Sequence, residues 1–154
     1  MYSIKEIYKT IQGEGAQSGR TAVFVRFTGC NLWSGKEKHR ESSICNFCDT
    51  DFVGTDGING GKYSCKSLVS KIKDVWQSKE RGYIVFTGGE PMLNDLWPLH
   101  RLFKARGYQL SCESNGTITI PEGLLDWVCI SPKDQMYPGV KIRQRTGDEL
   151  KCVY

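Results

Sequence analysis

The sequence has no long apolar run, no internal repeat and no low-complexity segment. A membrane-spanning helix needs about 20 consecutive apolar residues, and no stretch approaches that length. The first ten residues, MYSIKEIYKT, also lack the apolar core of a signal peptide. We therefore expect a cytosolic protein. Its 154 residues are enough for one domain with a hydrophobic core.

The sequence also lacks a strong excess of either sign of charge. The 21 basic and 17 acidic residues leave a net charge of +4, which is a mild excess. A nucleic-acid-binding domain typically has lysines and arginines clustered in a basic patch. The charges therefore indicate an ordinary solvated surface, although a mild positive excess also suits an anionic small molecule.

Strand patterns alternate with helix patterns along the chain. Stretches rich in β-branched and aromatic residues predict strands at 21–29, 83–91, 108–114, 127–131 and 150–154. Helical spacing predicts one helix from an N-cap at Ser64 to about Glu80. A second helix is predicted with Asn94 as its cap, Pro98 in its first turn or just past it, and Gly107 as its stop. This alternation predicts an α/β fold with parallel strands, in which sites gather at the carboxyl ends of the strands.

Three of the seven cysteines fall in one stretch, residues 27–52, that follows the first predicted strand. Fourteen residues separate Cys30 from Cys45, and two separate Cys45 from Cys48. In a reducing compartment, clustered cysteines more often bind metal or do chemistry than form disulfides. Three thiolates suit an iron–sulfur cluster that keeps one iron open, and together with His39 they suit a closed zinc site. The spacing alone leaves both possibilities open.

A second motif, TGGEP at residues 87–91, separates these possibilities. A three-cysteine loop ending in C-x-aromatic-C, followed by a strand that ends in GGEP, resembles the radical S-adenosylmethionine enzymes. Most of that superfamily spaces its first two cysteines much more closely, and the wide spacing here resembles the 7-carboxy-7-deazaguanine synthase family of the queuosine and deazapurine pathway. The segments that carry this resemblance follow the family's order along nearly the whole chain: TIQGEG, FVRFTGCNLWSG, CNFCDTDF, FTGGEP, ESNGT and SPK.

The resemblance implies a partial, compact (β/α) barrel, formed by one radical S-adenosylmethionine domain over residues 1–154. It also implies a [4Fe–4S] cluster and S-adenosyl-L-methionine as cofactors. Cys30, Cys45 and Cys48 would each ligate one iron, and S-adenosylmethionine would chelate the fourth through its amino and carboxylate groups. Further cofactor contacts are implied for Phe47, Cys48, Asp49, Gly89, Glu90, Glu113, Ser131, Pro132 and Lys133. The glycines of GGEP have no side chain, which lets a ligand approach the backbone closely.

A substrate, 6-carboxy-5,6,7,8-tetrahydropterin, and a Mg²⁺ ion follow from the same resemblance. Arg26 would pair with the substrate carboxylate, and its simpler alternative is a surface salt bridge. Contacts to the pterin ring are implied for Ile11, Gln12, Gly13, Glu14 and Thr87. Thr50 would ligate Mg²⁺ through its hydroxyl, with Asp49 orienting waters. Such an enzyme forms a 5′-deoxyadenosyl radical and contracts the pterin ring with loss of ammonia, which gives 7-carboxy-7-deazaguanine.

Two other functions compete with this one. Another radical S-adenosylmethionine enzyme, such as an activase that makes a glycyl radical on a protein partner, would share the cluster but leave the predicted substrate contacts without a purpose. A zinc-stabilised binding module would combine the three cysteines with His39. The family resemblance further implies a homodimer and an electron donor such as flavodoxin or ferredoxin. We expect neither a nucleic-acid nor a membrane partner.

Two expectations concern the rest of the chain. Because cysteine is among the most often buried residue types, we expect core positions for Cys65, Cys112, Cys129 and Cys152. The sequence stops at LKCVY, residues 150–154, which has the composition of an interior strand. A parallel strand needs cover on both faces, and members of the family continue with a further strand and helix. We therefore expect an incomplete enzyme that assembles its cluster, turns over the pterin poorly and is prone to aggregate.

Overall fold

A seven-stranded sheet forms the frame of the protein in the computed structural model, which describes residues 1–133 and 139–152. The strands are β1 (Tyr2–Ile11), β2 (Thr21–Phe27), β3 (Gly61–Tyr63), β4 (Tyr83–Gly88), β5 (Gln109–Ser114), β6 (Trp127–Ile130) and β7 (Glu149–Leu150). Their order across the sheet is β3-β1-β2-β4-β5-β6-β7. The strands from β2 to β7 are parallel, whereas β1 is antiparallel to both of its neighbours.

Two α-helices pack on one face of this sheet within the described part of the chain. They are α1 (Cys65–Trp76), which precedes β4, and α2 (Trp97–Lys104), which makes the crossover from β4 to β5. The main core lies between helices and sheet, where Leu68, Leu99, Phe27 and Phe86 are fully buried. Burying each such side chain contributes about 1.5–3 kcal/mol. The helices thus anchor the strands whose carboxyl ends form the site.

The opposite face of the sheet carries a second, smaller apolar cluster. It consists of Ala22, Phe24, Tyr83 and Val85, with Tyr8 stacked on Phe24 at 5.7 Å between ring centroids. In the described residues the sheet ends at β3 and β7 and does not close on itself. A parallel sheet with helices on one face and an open inner face is a partial (β/α) barrel, so the predicted fold class is confirmed.

Strand β1 is absent from the elements predicted above, and its irregular register explains why. The pairing with β2 shifts between Ile4 and Glu6, which marks a β-bulge. Ile4 and Ile7 both lie in the helix-side core although they are three positions apart, an odd number that would put them on opposite faces of a regular strand. The extra residue in the bulge puts them on the same face, so the strict alternation typical of a strand is lost. At the bulge, the Lys5 ammonium bonds the carbonyl of Val53 at 2.9 Å.

Four of the five predicted strands are confirmed, and each of them is shorter than predicted. In the fifth, residues 150–154, the structure has β7 at Glu149–Leu150, and 153–154 lie outside the described residues. The helix after Ser64 is confirmed, and the Ser64 hydroxyl accepts the amide of Ser67 as an N-cap. It stops at Trp76, short of Glu80, because Gln77 takes a left-handed conformation with φ of 53°.

The predicted cap of the second helix is wrong. Asn94 ends a 3₁₀ turn formed by Pro91–Leu93, and its amide donates to the Pro91 carbonyl at 3.1 Å. The helix starts later, at Trp97, and the carboxylate of Asp95 accepts the Trp97 amide at 3.0 Å. Pro98 lies in the first turn as predicted. Gly107, with φ of 75°, follows the helix end at Lys104 by a short turn.

The cysteines outside the cysteine loop are only partly where we expected them. Cys112 and Cys129 are buried, but Cys65 is half-buried at the start of α1 and Cys152 is exposed. Exposure of Cys152 follows from the early end of β7, since its backbone lies beyond the last paired residue. Neither helix of residues 1–133 and 139–152 is long and apolar enough to cross a membrane.

Candidate active site

One cavity of about 370 Å³ lies at the carboxyl ends of the parallel strands. Each predicted motif contributes to its wall: the cysteine loop after β2, TGG at the end of β4, ESN at the end of β5 and SPK after β6. Its lining residues are Glu14, Cys30, Leu32, Trp33, Cys45, Phe47, Cys48, Asp49, Thr50, Phe52, Thr87, Gly88, Gly89, Glu113, Ser114, Asn115, Ser131, Lys133 and Lys151. The parallel topology thus gathers motifs that are distant in sequence.

The three predicted cluster ligands lie together in the wall of this cavity. Leu32, Trp33, Cys45 and Phe52 form a small apolar cluster, against which Cys30 and Cys48 also pack. The Cys45 amide donates to the Leu32 carbonyl at 3.1 Å. The residues between Cys30 and Cys45 therefore fold back on themselves. The wide sequence spacing still delivers three neighbouring thiols.

Hydrogen bonding makes the three thiols chemically different. The hydrogen bond from Cys45 lowers the pKa of the Cys48 thiol to about 6, and donation from the amide and hydroxyl of Thr50 acts in the same direction. The same bond raises the pKa of Cys45. Burial raises the pKa of Cys30, although the Leu32 amide donates to its sulfur at 3.4 Å. Since the thiolate is the form that binds metal, the hydrogen bonds to Cys48 favour its role as a ligand.

The two glycines of GGEP bring that motif against the cysteine loop. A side chain on Gly88, whose φ is 132°, would collide with the carbonyl of Phe27, and one on Gly89 would collide with the carbonyl of Gly29. The Glu90 amide donates to that Gly29 carbonyl at 2.9 Å. The glycines thus admit a neighbouring backbone segment, in addition to the close approach of a ligand that the sequence suggests.

The Glu90 carboxylate is fully buried and joins GGEP to the end of β5. It accepts the Met92 amide at 3.0 Å, the Ser114 hydroxyl at 2.9 Å and the Asn115 amide at 2.7 Å. Burial raises the pKa of Glu90, and these three donors oppose that rise. In the described chain, the cavity wall includes Gly89 but not Glu90. The Glu90 side chain therefore connects two strand ends.

Asn115 extends this connection to the first cysteine. Its side-chain amide donates to the Asn31 side chain at 3.0 Å and lies 3.9 Å from the sulfur of Cys30. Its side-chain oxygen accepts the Thr117 amide at 2.9 Å. A chain of contacts thereby joins three loops, from Glu90 through Asn115 to Cys30. We did not predict a role for Asn115, although ESNGT was among the motifs singled out.

Glu113 lies between the predicted cofactor contacts and the predicted substrate contacts. Its carboxylate accepts the Thr87 hydroxyl at 3.1 Å and the Gln12 side-chain amide at 3.3 Å. Both donors come from residues that the resemblance assigns to the substrate. Glu113, which it assigns to the cofactor, therefore connects the two predicted groups.

A cationic corner forms where SPK meets the cysteine loop. The Lys133 ammonium donates to the Ser131 hydroxyl at 2.6 Å and lies 5.9 Å from the centroid of the Phe47 ring. Burial lowers the pKa of Lys133, while the nearby thiols of the cysteine loop act in the opposite direction. The Ser131 amide donates to the Ser114 carbonyl at 2.8 Å, which fixes SPK to β5. A carboxylate or ribose hydroxyl entering this corner would meet an ammonium group and a hydroxyl.

Arg26 lies on the inner face of the sheet, one strand from Thr87, its register partner in β4. Its Nε donates to the Glu6 carboxylate at 2.8 Å, and one terminal nitrogen lies 3.4 Å from the Tyr8 hydroxyl. The two charged side chains are 18% and 26% exposed, so this is a partly buried ion pair. Arg26 is not among the described residues that line the cavity.

Two curated proteins with similar sequences carry the same name. 7-carboxy-7-deazaguanine synthase from Bradyrhizobium diazoefficiens is 51% identical over 155 residues, which cover 99% of this chain and 71% of that protein. The synthase from Caulobacter vibrioides is 48% identical with the same coverage. The chain belongs to the 7-carboxy-7-deazaguanine synthase family.

The fold agrees with this family. The crystal structure of QueE from Escherichia coli matches with a TM-score of 0.67 at 28% identity, over 94% of this chain and 61% of that chain. No protein-family model matches the chain. The relatives confirm the predicted family and enzyme class, whereas the role of each site residue stays a prediction.

Four predicted contacts of this 7-carboxy-7-deazaguanine synthase family member lie outside the cavity wall of the described residues, in addition to Arg26 and Glu90: Ile11, Gln12, Gly13 and Pro132. Ile11 is 61% exposed at the end of β1. Pro132 faces a second cavity of about 890 Å³ beside β6, β7 and residues 139–147. Glu14 lines the first cavity and pairs with Lys151, a cation that sequence reasoning missed.

The structure places His39, the fourth ligand of the alternative zinc site, outside the cavity that the three cysteines line. The His39 ring bonds the Ser34 hydroxyl at 2.8 Å and is not part of the cavity wall among the described residues. Within 1–133 and 139–152, no three His, Cys, Asp or Glu side chains are close enough to hold a single ion. A four-iron cluster sets a different requirement, because each thiolate then reaches a separate iron. The three thiols around one cavity fit that requirement.

Proposed function

We propose that this protein converts 6-carboxy-5,6,7,8-tetrahydropterin to 7-carboxy-7-deazaguanine with loss of ammonia, using a [4Fe–4S] cluster, S-adenosylmethionine and Mg²⁺. One observation carries the proposal: Cys30, Cys45 and Cys48 share one cavity wall, and Gly88 and Gly89 reach the same cavity from β4. Three thiolates leave one iron of a cube without a protein ligand, which is where S-adenosylmethionine would bind. When bound, the cluster would supply the electron that releases a 5′-deoxyadenosyl radical.

The chain's own residues then bind and orient the cofactor. Phe47 would pack near the adenine, and the backbone of Gly89 would accept the methionine ammonium. Lys133 and Ser131 would meet the carboxylate and ribose of S-adenosylmethionine, since their ammonium and hydroxyl groups lie together beside Phe47. The remaining predicted cofactor contacts, Asp49, Glu90, Glu113 and Pro132, belong to this proposal too. Holding the reacting groups in one geometry is the main way such a site speeds a reaction.

Substrate binding falls to the residues around Glu113 and Arg26. Gln12, Glu14 and Thr87 present amide, carboxylate and hydroxyl groups to the donor and acceptor edge of a pterin. Arg26 supplies a cation for the substrate carboxylate, although its guanidinium also pairs with Glu6. Thr50 and Asp49 line the cavity and offer oxygen atoms, which Mg²⁺ prefers. The proposal also includes a homodimer, a flavodoxin or ferredoxin as electron donor, and a cytosolic location.

Anaerobic reconstitution tests the proposal. The chain is incubated with iron, sulfide and a thiol reductant, and the bound iron and sulfide are counted. We expect a brown protein with a four-iron signal, and then conversion of the carboxylated pterin when S-adenosylmethionine, Mg²⁺ and reductant are added. A protein that binds one zinc ion and no sulfide would contradict it. A protein that cleaves S-adenosylmethionine but transfers the radical only to a protein partner would favour the activase.

Arg26→Ala is expected to impair turnover of the pterin and leave uncoupled cleavage of S-adenosylmethionine intact. Loss of a cation that pairs with a buried carboxylate costs about 2–5 kcal/mol, whereas an exposed pair is worth less than about 1 kcal/mol. Steady-state kinetics with the pterin as the varied substrate measures the effect. Glu6→Gln is the matched control, because it breaks the same ion pair without removing the cation. Equal kinetic defects in both variants would mean that Arg26 serves only Glu6.

Thr50→Ala is expected to reduce the stimulation of activity by Mg²⁺, because it removes the hydroxyl proposed to hold the ion. Thr50→Ser keeps that hydroxyl and is expected to retain the stimulation. Iron content is measured in parallel, since the Thr50 hydroxyl also donates to Cys48. A loss of iron that matches the loss of activity in the alanine variant would show that Thr50 acts through Cys48 instead.

A further inference from the structure

The loop between Cys30 and Cys45 is organised around one side chain that the proposed function leaves unused, Arg40. One terminal nitrogen of its guanidinium donates to the carbonyl of Asn46 at 2.7 Å and to that of Cys48 at 3.0 Å. Its Nε contacts the Glu37 carboxylate at 2.7 and 2.9 Å. The guanidinium carbon also lies 4.3 Å from the centroid of the Trp33 ring. Arg40 thus contacts both the loop's apolar cluster and the C-x-F-C segment.

This arrangement depends on the shape of the arginine side chain. A planar guanidinium can lie on an aromatic ring and still donate in its own plane to several acceptors. A lysine ammonium carries the same charge but cannot keep the ring contact and these fixed directions together. Trp33 is buried in the cluster that also holds Cys45, so its ring is a firm support for the guanidinium. Glu37 restrains the guanidinium from the solvent side, since its own side chain is largely exposed.

We propose that Arg40 is a positioning residue for the cluster ligands Cys45 and Cys48. It holds the backbone carbonyls on either side of Phe47, so it fixes where both thiolates and the proposed adenine contact lie. Its positive charge near the two thiolates also favours the reduced cluster, which carries one more negative charge than the oxidised one. The inference rests on the proposed function, because it assumes that these thiolates bind the cluster. The inference also gives one role to the wide spacing between the first two cysteines, because it leaves room for Arg40 to fold back onto the C-x-F-C segment.

Three variants separate the shape of Arg40 from its charge. Arg40→Gln removes both the positive charge and the planar guanidinium group. Arg40→Lys removes the guanidinium group but keeps the charge. Lys38→Gln removes an equal charge from an exposed position of the 3₁₀ turn Glu37–His39, which directly precedes Arg40, and is the matched control. Each reconstituted protein is compared with wild type by the rate of iron loss to a chelator under anaerobic conditions and by the reduction potential of the cluster. Hydrogen exchange of residues 41–48 is measured in the metal-free chain.

Arg40→Gln is expected to lose iron at least about tenfold faster, because the loss of even one of its charge-assisted hydrogen bonds to the carbonyls of Asn46 and Cys48 corresponds to about that factor, and to have a more negative potential. Arg40→Lys is expected to lose iron faster while keeping the wild-type potential. Lys38→Gln should match wild type in both. Wild-type rates and potential in Arg40→Gln overturn the inference while leaving the proposed function standing. If even the wild-type chain takes up no cluster, the proposed function fails, and the inference that Arg40 positions cluster ligands falls with it. Hydrogen exchange then tells only whether Arg40 holds residues 41–48 as a structural contact.

Discussion

Alanine in place of Cys30, Cys45 or Cys48 is expected to abolish both cluster assembly and product formation. Each thiolate would hold a different iron, so none of the three can replace another. Among the described residues, no other cysteine lines the cavity. Iron and sulfide content after anaerobic reconstitution, followed by assay of the product, measures both losses. We expect all three variants to remain folded, because the loop's apolar cluster keeps Leu32, Trp33 and Phe52.

Two controls make this result specific. Cys65→Ala removes a half-buried thiol at the start of α1 and is expected to keep a full cluster. His39→Ala removes the only histidine of the loop and is expected to change neither iron content nor activity. Release of a zinc ion and unfolding of His39→Ala would support the zinc module instead. Full iron content in any of the three cysteine variants would show that a different residue ligates that iron.

The position of the site could be predicted from the sequence, because in a parallel sheet it depends only on where the strands end. Each predicted motif follows a predicted strand, and the carboxyl ends of parallel strands meet at one edge of a sheet. The cysteine loop, TGG, ESN and SPK therefore had to converge once the strands were identified, and they do so around one cavity. This step needs no knowledge of side-chain contacts.

The hydrogen-bonded links inside the site could not be read in the same way. Arg40 bonds carbonyls six and eight residues further on, and Asn115 lies near Cys30 across 85 residues of sequence. Such contacts depend on how the loops fold back, and neither periodicity nor composition records that. Arg26 shows the same limit, because the sequence gives its place on β2 but not the Glu6 partner on β1. That partner was hidden because the bulge at Lys5 breaks the alternation of β1.

Glu90→Gln is expected to destabilise the protein although the change is nearly isosteric. Removing a buried charge by itself favours the glutamine, since burial raises the pKa of Glu90. The carboxylate, however, accepts three hydrogen bonds, from Met92, Ser114 and Asn115. A glutamine offers one oxygen, so its NH₂ group must face one of these donors. A buried donor without an acceptor costs about 1–3 kcal/mol, and we expect this cost to decide the outcome.

Glu90→Ala is expected to cost more, roughly 3 kcal/mol or above, because all three buried donors then lose their acceptor. Urea unfolding of the metal-free chain measures both variants, and the exposed Glu122→Gln is the matched control, expected within about 0.5 kcal/mol of wild type. Iron loss should also accelerate in both Glu90 variants, because Asn115 links this carboxylate to Cys30. A different pattern would show that the Glu90 side chain serves mainly as the proposed cofactor contact and contributes little to stability. In that case Glu90→Gln would unfold at the wild-type urea concentration and keep its iron, and only its KM for S-adenosylmethionine would rise.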